Sequence, residues 1–265
     1  MNLEVLVSTM HQSDYSILDR MNIHSDAIII NQCDENQYKE LDYNGNSIRF
    51  LSFNERGVGL SRNNALMRAT ADICLFADDD VTYVDNYKEI ICEAFKKLPD
   101  ADIILFNVPS TNPNRPYPNI TKQTRIKWFN CLKYGAVRMA IKTESIKRSN
   151  IYFSLLFGGG ARYSSGEDSL FISECIKRGL KVYGLPIEIG KVSQESSSWF
   201  NGYTDKYFID RGILYAFLSK RWSTLLCIQF IIRHRKKFEK SKSWKEALVL
   251  MLKGKKDLKK NNQTK

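Results

Sequence analysis

Residues 73–80 read Ile73-Cys74-Leu75-Phe76-Ala77-Asp78-Asp79-Asp80. Four apolar residues suit a buried strand, and three consecutive carboxylates stand where that strand should end. Like charges this dense repel one another. A fold tolerates them on a solvated loop, or where a cation gathers them. In an open α/β sheet, ligands bind in the crevice beyond the carboxyl ends of the strands. Hard oxygen ligands at such a place suit Mg²⁺ or Mn²⁺ holding a phosphate-bearing substrate. A solvated acidic turn is the plain alternative, and the surrounding sequence decides between the two.

Upstream, Leu3-Glu4-Val5-Leu6-Val7 reads as a first strand. Ser13 is placed to cap a helix running through Tyr15, Leu18 and Met21. Ala27-Ile28-Ile29-Ile30 has no polar alternation and reads as a second strand buried on both faces. Ile48-Arg49-Phe50-Leu51 reads as a third, Leu60 to Ala69 as a helix, and Ile73–Phe76 as the fourth strand. Downstream, Val84 to Leu98 carries an apolar face of Ile90, Ile91, Ala94, Phe95 and Leu98 at helical spacing. Pro99-Asp100 stops it, and Ile103-Ile104-Leu105-Phe106 is a fifth strand. Strands alternating with helices in this way predict βαβ units and a mainly parallel sheet, an α/β fold. The pattern breaks at Pro109–Pro118, which holds four prolines. Residues 119–200 mix short strands and helices, and 206–238 read as helical.

The chain has 265 residues and is 43% hydrophobic, enough to build a sizeable core. The start, Met1-Asn2-Leu3-Glu4-Val5, reads directly into a strand, and no secretory leader is expected. The six cysteines are scattered without a CxxC pair. They read as reduced thiols rather than a disulfide framework or zinc site, in a cytoplasmic setting. The net charge of +11 is unevenly placed. Residues 233–265 hold thirteen Lys or Arg against three acids, while residues 1–232 hold 27 against 26. A basic tail suits nucleic acid or the anionic face of a membrane. The final stretch Lys253–Lys265 is expected to be a solvated, partly disordered terminus. Trp222–Ile232 is apolar and runs into Arg233-His234-Arg235-Lys236-Lys237. It is well short of the roughly 20 residues that span a bilayer. It is either an interfacial helix with a basic flank or a core helix ending in favourable cations.

Four local features bear on chemistry. Val7-Ser8-Thr9-Met10 is a polar exit from the first strand. Asn31-Gln32 after the second strand offers paired donors and acceptors able to read a base edge, or else makes ordinary turn contacts. Gly57-Val58-Gly59-Leu60-Ser61-Arg62-Asn63-Asn64 opens a helix whose first turn would attract anions, with Arg62 suited to phosphate. Gly166-Glu167-Asp168 places two acids at a helix start, which is also plain dipole compensation.

In this order, and over Gly57–Val81 above all, the chain resembles the family 2 glycosyltransferases of GT-A fold, of the kind that build bacterial cell-surface or capsular polysaccharide. The resemblance covers roughly residues 3–200. It implies hexosyl transfer from a nucleotide-sugar, with a UDP-sugar as donor, to a saccharide or lipid-linked acceptor. It assigns Asp80 to a Mn²⁺ or Mg²⁺ ion and Asp78 to the ribose; Asp79 belongs to the same cofactor-binding motif or does no more than hold the turn. Thr9, Asn31 and Gln32 would line the nucleobase pocket and Arg62 would face the ribose and phosphates. Asp168 would be the general base, with Glu167 as orienting neighbour or alternative base. Residues 1–108 would be the nucleotide-sugar-binding half and 109–205 the acceptor-binding half. Residues 206–265 would be a helical basic extension touching a membrane from the cytoplasmic side.

A sugar hydroxyl is a poor nucleophile, so a placed carboxylate must accept its proton. A leaving diphosphate gathers charge that a cation stabilises. Separate carboxylate sets, 88 residues apart from Asp80 to Asp168, suit direct displacement with inversion. The chain departs from the family at Ala77, where an Asp is frequent, and at the Asn31-Gln32 turn. It also lacks a His near Val192-Ser193-Gln194-Glu195-Ser196, where Gln194 is the weak substitute. Ser198-Trp199-Phe200-Asn201-Gly202-Tyr203 is a candidate platform for the apolar faces of an acceptor sugar, or else packing. A nucleotidyltransferase would show a basic glycine-rich loop after strand one, which Ser8-Thr9-Met10-His11 is not. A nucleic-acid-binding protein would need a basic face beyond the tail, and the body is near neutral.

Overall fold

The structure is a computed structural model and describes residues 1–113, 115–194 and 202–261. The chain forms two compact units. One comprises Met1–Leu155 with Glu167–Ser197, the other Leu156–Gly166 with Ser198–Lys265.

Among the described residues the first unit has eleven strands. In chain order they are β1 (Leu3–Met10), β2 (Asp26–Gln32), β3 (Gln37–Tyr43), β4 (Asn46–Phe53), β5 (Ile73–Asp78), β6 (Val81–Tyr83), β7 (Ile103–Asn107), β8 (Thr124–Ile126), β9 (Met139–Lys142), β10 (Val182–Glu188) and β11 (Gly190–Val192). Its helices are α1 (Ile17–Arg20), α2 (Val58–Arg68), α3 (Tyr87–Lys97), α4 (Thr143–Arg148) and α5 (Glu167–Lys177). Nine strands form one sheet in the order β3-β4-β2-β1-β5-β9-β7-β10-β8. β4, β2, β1 and β5 run parallel. β9 lies antiparallel between β5 and β7, so β7 and its parallel neighbour β10 return to the direction of the first group. β3 and β8 are antiparallel edges.

The apolar runs behave as continuous hydrophobic strands should. Val5, Val7, Ile29, Leu75 and Ala77 face one core cluster. Leu6, Ile28, Ile30, Cys74 and Phe76 face the other. Burial on both faces removes the need for alternation. Register then sets the site: Ser8 lies beside Asp78, and Thr9 beside Asn31.

Two local readings are corrected. The expected helix from Ser13 is only the single turn of α1, because Asp14 Oδ1 accepts the amide and hydroxyl of Ser16 and turns the chain there. The strand read as third is fourth. It is preceded by β3, a polar, mostly exposed strand hidden from a hydrophobic-pattern reading. The Asn44-Gly45 turn joining them has positive φ at both residues, 53° and 77°, the geometry of a tight hairpin.

The second unit contains α6 (Asp205–Leu218), α7 (Ser223–Phe238) and α8 (Trp244–Asn261). α6 and α8 pack backbone to backbone. A Cβ on Gly212 would lie 1.9 Å from the Met251 carbonyl oxygen, and one on Gly254 would lie 2.3 Å from that of Ile209. The expectation of a partly disordered end is corrected in part: α8 continues to Asn261, its Ala247, Met251 and Gly254 buried. Residues 262–265 lie outside the described residues. No helix among the described residues is long and apolar enough to cross a membrane. The six cysteines are free thiols.

Candidate active site

The motif Gly57–Asn64 fastens α2 to the rest of the first unit, residue by residue. Gly57 begins the helix at φ +130°, and its amide donates to Gln32 Oε1 at 2.7 Å. A Cβ on Gly59 would lie 2.5 Å from the Ser154 carbonyl oxygen, so only glycine lets that segment approach. Ser61 donates to Ser8 Oγ at 3.0 Å. Asn63 exchanges two hydrogen bonds with the Phe153 backbone, 2.9 and 2.8 Å. Asn64 Nδ2 donates to Glu55 Oε1 at 2.6 Å.

Arg62 is the centre of this arrangement. Its side chain is only 3% exposed. One terminal nitrogen donates to Asp78 Oδ1 at 2.7 Å. The other donates to Glu167 Oε1 at 3.1 Å and Asp168 Oδ1 at 2.8 Å. Its guanidinium also lies 5.3 Å from the centre of the Phe153 ring. Burial alone would lower its pKa, but the three carboxylates outweigh burial and raise it. Arg62, the side chain expected at the ribose and phosphates, joins the end of β5 to the start of α5.

The three aspartates divide. Asp78 takes Arg62. Asp79 Oδ2 accepts the Thr9 hydroxyl at 2.5 Å, and Thr9 Oγ1 in turn accepts Gln12 Nε2 at 2.9 Å. Asp80 pairs with no Lys or Arg among the described residues. The β6–β11 ribbon sets Val192 opposite Val81. That brings the Gln194 amide to Asp80 Oδ2 at 3.2 Å. Burial, then the neighbouring Asp78 charge, pushes the Asp80 carboxyl up to about 6. Gln194 sits at φ 51° with its Oε1 buried and unpartnered.

Asp168 is pushed up to about 7, first by burial and then by the adjacent Glu167 charge, with Arg62 opposing. Its side chain is 24% exposed against 11% for Glu167, so Asp168 is the more reachable acid. The bare Cα of Gly135 borders it: a Cβ there would lie 3.5 Å from Asp168 Oδ2 and 3.9 Å from the Tyr117 hydroxyl.

The nucleobase residues are less open than their sequence suggests. Asn31, 1% exposed, accepts the Gln12 amide at 2.9 Å and donates to Gln12 O at 3.0 Å and Ser52 Oγ at 3.1 Å. Gln32 is buried against Gly57. Buried amides must be satisfied, and here the turn takes both. Four site-forming residues escaped the sequence reading. Tyr117 is pushed up to about 12 by burial and the charges of Asp78, Asp168 and Asp80. Gly135 makes the gap. Arg138, buried at 1%, donates to Phe106 O, Pro118 O and Asn107 Oδ1 at 2.8, 3.0 and 2.6 Å. Asn107 then holds the backbone of Ile120 through two bonds of 3.0 and 2.8 Å. Together they fix the proline-rich loop that carries Tyr117. An arginine inside the apolar run Ala136–Ile141 was the available signal, since arginine is rarely buried without partners. Of the proposed aromatic platform, Ser198–Asn201 lie outside the described residues.

A glycine-fastened helix, carboxylates at the end of β5 and a second acidic pair at the start of α5 define a glycosyltransferase of GT-A fold. The sequence profile described as glycosyl transferase family 2 matches residues 16–152, just over half the chain. The chain belongs to that family. Among solved structures it is similar to Staphylococcus aureus TarS 1–349 in complex with UDP-GlcNAc, at 16% identity and TM-score 0.67. That match covers 96% of this chain and 81% of that one. The same fragment in complex with UDP matches at 15% identity and TM-score 0.65, with equal coverage. Against the longer S. aureus TarS chain the TM-score is 0.62 at 16% identity, covering 92% of this chain and 44% of that one. No curated protein sequence matches the chain.

Proposed function

We propose that the protein transfers a hexosyl group from a UDP-sugar to a hydroxyl of a saccharide or lipid-linked acceptor, with inversion, in cell-surface polysaccharide or glycolipid synthesis at the cytoplasmic face of a membrane. The observation that carries it is the Arg62 clamp, which holds Asp78 and Asp168 on one side chain. The donor and acceptor carboxylates of a displacement are thereby set in one rigid frame. The UDP and UDP-GlcNAc complexes of TarS support the choice of donor carrier.

In this reading Asp168 accepts the proton of the attacking hydroxyl. A base titrating near neutrality is well matched to that task, deprotonated often enough to act and basic enough to take the proton. Glu167 and Arg62 hold its orientation. The exposed edge of Asp78 meets the ribose.

A divalent ion fits the donor set in one mode. No group of three His, Cys, Asp or Glu able to cage a metal exists among the described residues. Asp80 is a partly buried carboxylate that pairs with no Lys or Arg among the described residues, and burial beside Asp78 disfavours its charge. That suits Mg²⁺ or Mn²⁺ held by one carboxylate together with substrate phosphates and water. Asp80 would hold it, and the bound ion would stabilise charge on the leaving diphosphate.

Thermal-shift titration with UDP-sugars and Mn²⁺ or Mg²⁺ tests the reading. Asp80→Asn should lose the ion-dependent stabilisation by donor. Asp168→Asn should keep donor stabilisation and lose transfer. Undiminished ion-dependent binding in Asp80→Asn removes the metal assignment, and a retained anomeric configuration in the product removes inversion.

A further inference from the structure

We propose that the outer face of α7 is a docking surface for an anionic phospholipid bilayer. The helix has two faces of different character. Ser223, Cys227, Phe230, Ile231 and Phe238 are buried within the second unit. Opposite them, Leu225, Ile228 and Ile232 are 57%, 40% and 74% exposed. Their spacing of three and four residues puts them on one stripe of an α-helix. Trp222, 48% exposed, stands at the N-terminal end, with the Arg221 guanidinium 5.1 Å from its ring centre.

Soluble helices do not ordinarily present three large aliphatic side chains in line to water. The charges around the stripe identify its occupant. Lys236 continues the stripe at its C-terminal end, Arg221 precedes the helix, and Arg233 and Arg235 flank the stripe, Arg235 with Glu239 3.8 Å away; all four cations are exposed. A second copy of the chain would bring these cations against their own equivalents, which like-charge repulsion opposes. An anionic bilayer surface meets both requirements at once. Aliphatic groups and a tryptophan enter the headgroup boundary while arginine and lysine meet lipid phosphate. The +10 balance of residues 233–265 adds attraction of the same sign. The inference rests on the reading above only for its purpose, bringing the enzyme to a lipid-linked acceptor; the surface itself is tested without turnover.

The experiment is flotation of the full chain, without donor, on vesicles of phosphatidylcholine with or without phosphatidylglycerol. Binding is expected only with phosphatidylglycerol and should weaken as salt is added. In the triple variant Leu225→Gln, Ile228→Gln, Ile232→Gln it should weaken by about tenfold or more. These positions are exposed, so the melting transition should be retained. Undiminished binding by the triple variant overturns the proposal, as do equal binding to neutral vesicles and no vesicle binding by the unmodified chain. So does light scattering that shows a dimer which the triple variant separates. UDP-sugar thermal shifts on the same samples report on the donor reading separately.

Discussion

Arg62 and Asp168 lie 106 positions apart and are joined by a 2.8 Å charge-assisted hydrogen bond inside the first unit. The same guanidinium holds Asp78 at 2.7 Å. A planar fork with several donors reaches carboxylates on two elements at once, which a single ammonium does not. Arg62→Lys should therefore lower stability by about 1–3 kcal/mol, because partly buried carboxylates lose hydrogen-bond partners. Turnover should fall at least about 100-fold, since small misplacements of catalytic groups are expensive. Thermal melting and steady-state kinetics check both. Wild-type values would show that the clamp neither stabilises nor organises the site.

Tyr117 stays protonated at any working pH, its hydroxyl pushed up to about 12 by burial and three nearby carboxylates. It is therefore a permanent donor among acids. Tyr117→Phe removes that donor, and losing a hydrogen bond to a charged substrate group corresponds to about a tenfold to hundredfold loss in kcat/KM. Its melting temperature should stay close to wild type because the ring remains. An unaltered kcat/KM would remove Tyr117 from the site.

The pH profile of transfer should rise through neutrality, because Asp168 must be deprotonated to accept the acceptor's proton. Glu167 raises the Asp168 pKa, so Glu167→Gln should move that limb to lower pH. A limb that does not move identifies some other titrating group. Stability has the opposite sign. Folded Asp168 binds its proton more tightly than the unfolded chain does, so stability should fall as pH rises from about 4 to about 7. Melting of the ligand-free protein across that window reads this directly.

Gly59→Ala sets a Cβ 2.5 Å from the Ser154 carbonyl oxygen, where only backbone movement relieves the clash. Overpacking of this kind costs about 1–3 kcal/mol. Arg62 follows three residues later on the same helix, so activity should fall along with stability. A variant as stable and active as wild type would show that the close approach is dispensable.

Much of the fold was legible in local patterns. The apolar runs at Leu3–Val7, Ala27–Ile30 and Ile73–Phe76 identified strands, and the unbroken run Ala27–Ile30 identified one buried on both faces, since such a strand has no polar face to alternate. The Asp78–Asp80 triplet and Glu167-Asp168 stood out because dense charge beside apolar runs requires a partner. β3 was missed for the converse reason: an exposed edge strand has little apolar periodicity, and only the Asn44-Gly45 turn marked it.

By itself, the sequence determined that a mainly parallel α/β sheet would end in carboxylates, and that a glycine-flanked helix would carry an arginine near them. Tertiary structure alone decided what each group touches. Whether Arg62 meets phosphate or carboxylate depends on α5, 106 residues away. Whether Asn31 reads a base or satisfies its own turn depends on Gln12 and Ser52. Tyr117 joins the site because Asn107 and Arg138, on either side of the chain's proline break, anchor its loop. Hydrogen bonds and burial are short-ranged in space and indifferent to separation along the chain, so side-chain partners appear only once the sheet has brought distant segments together.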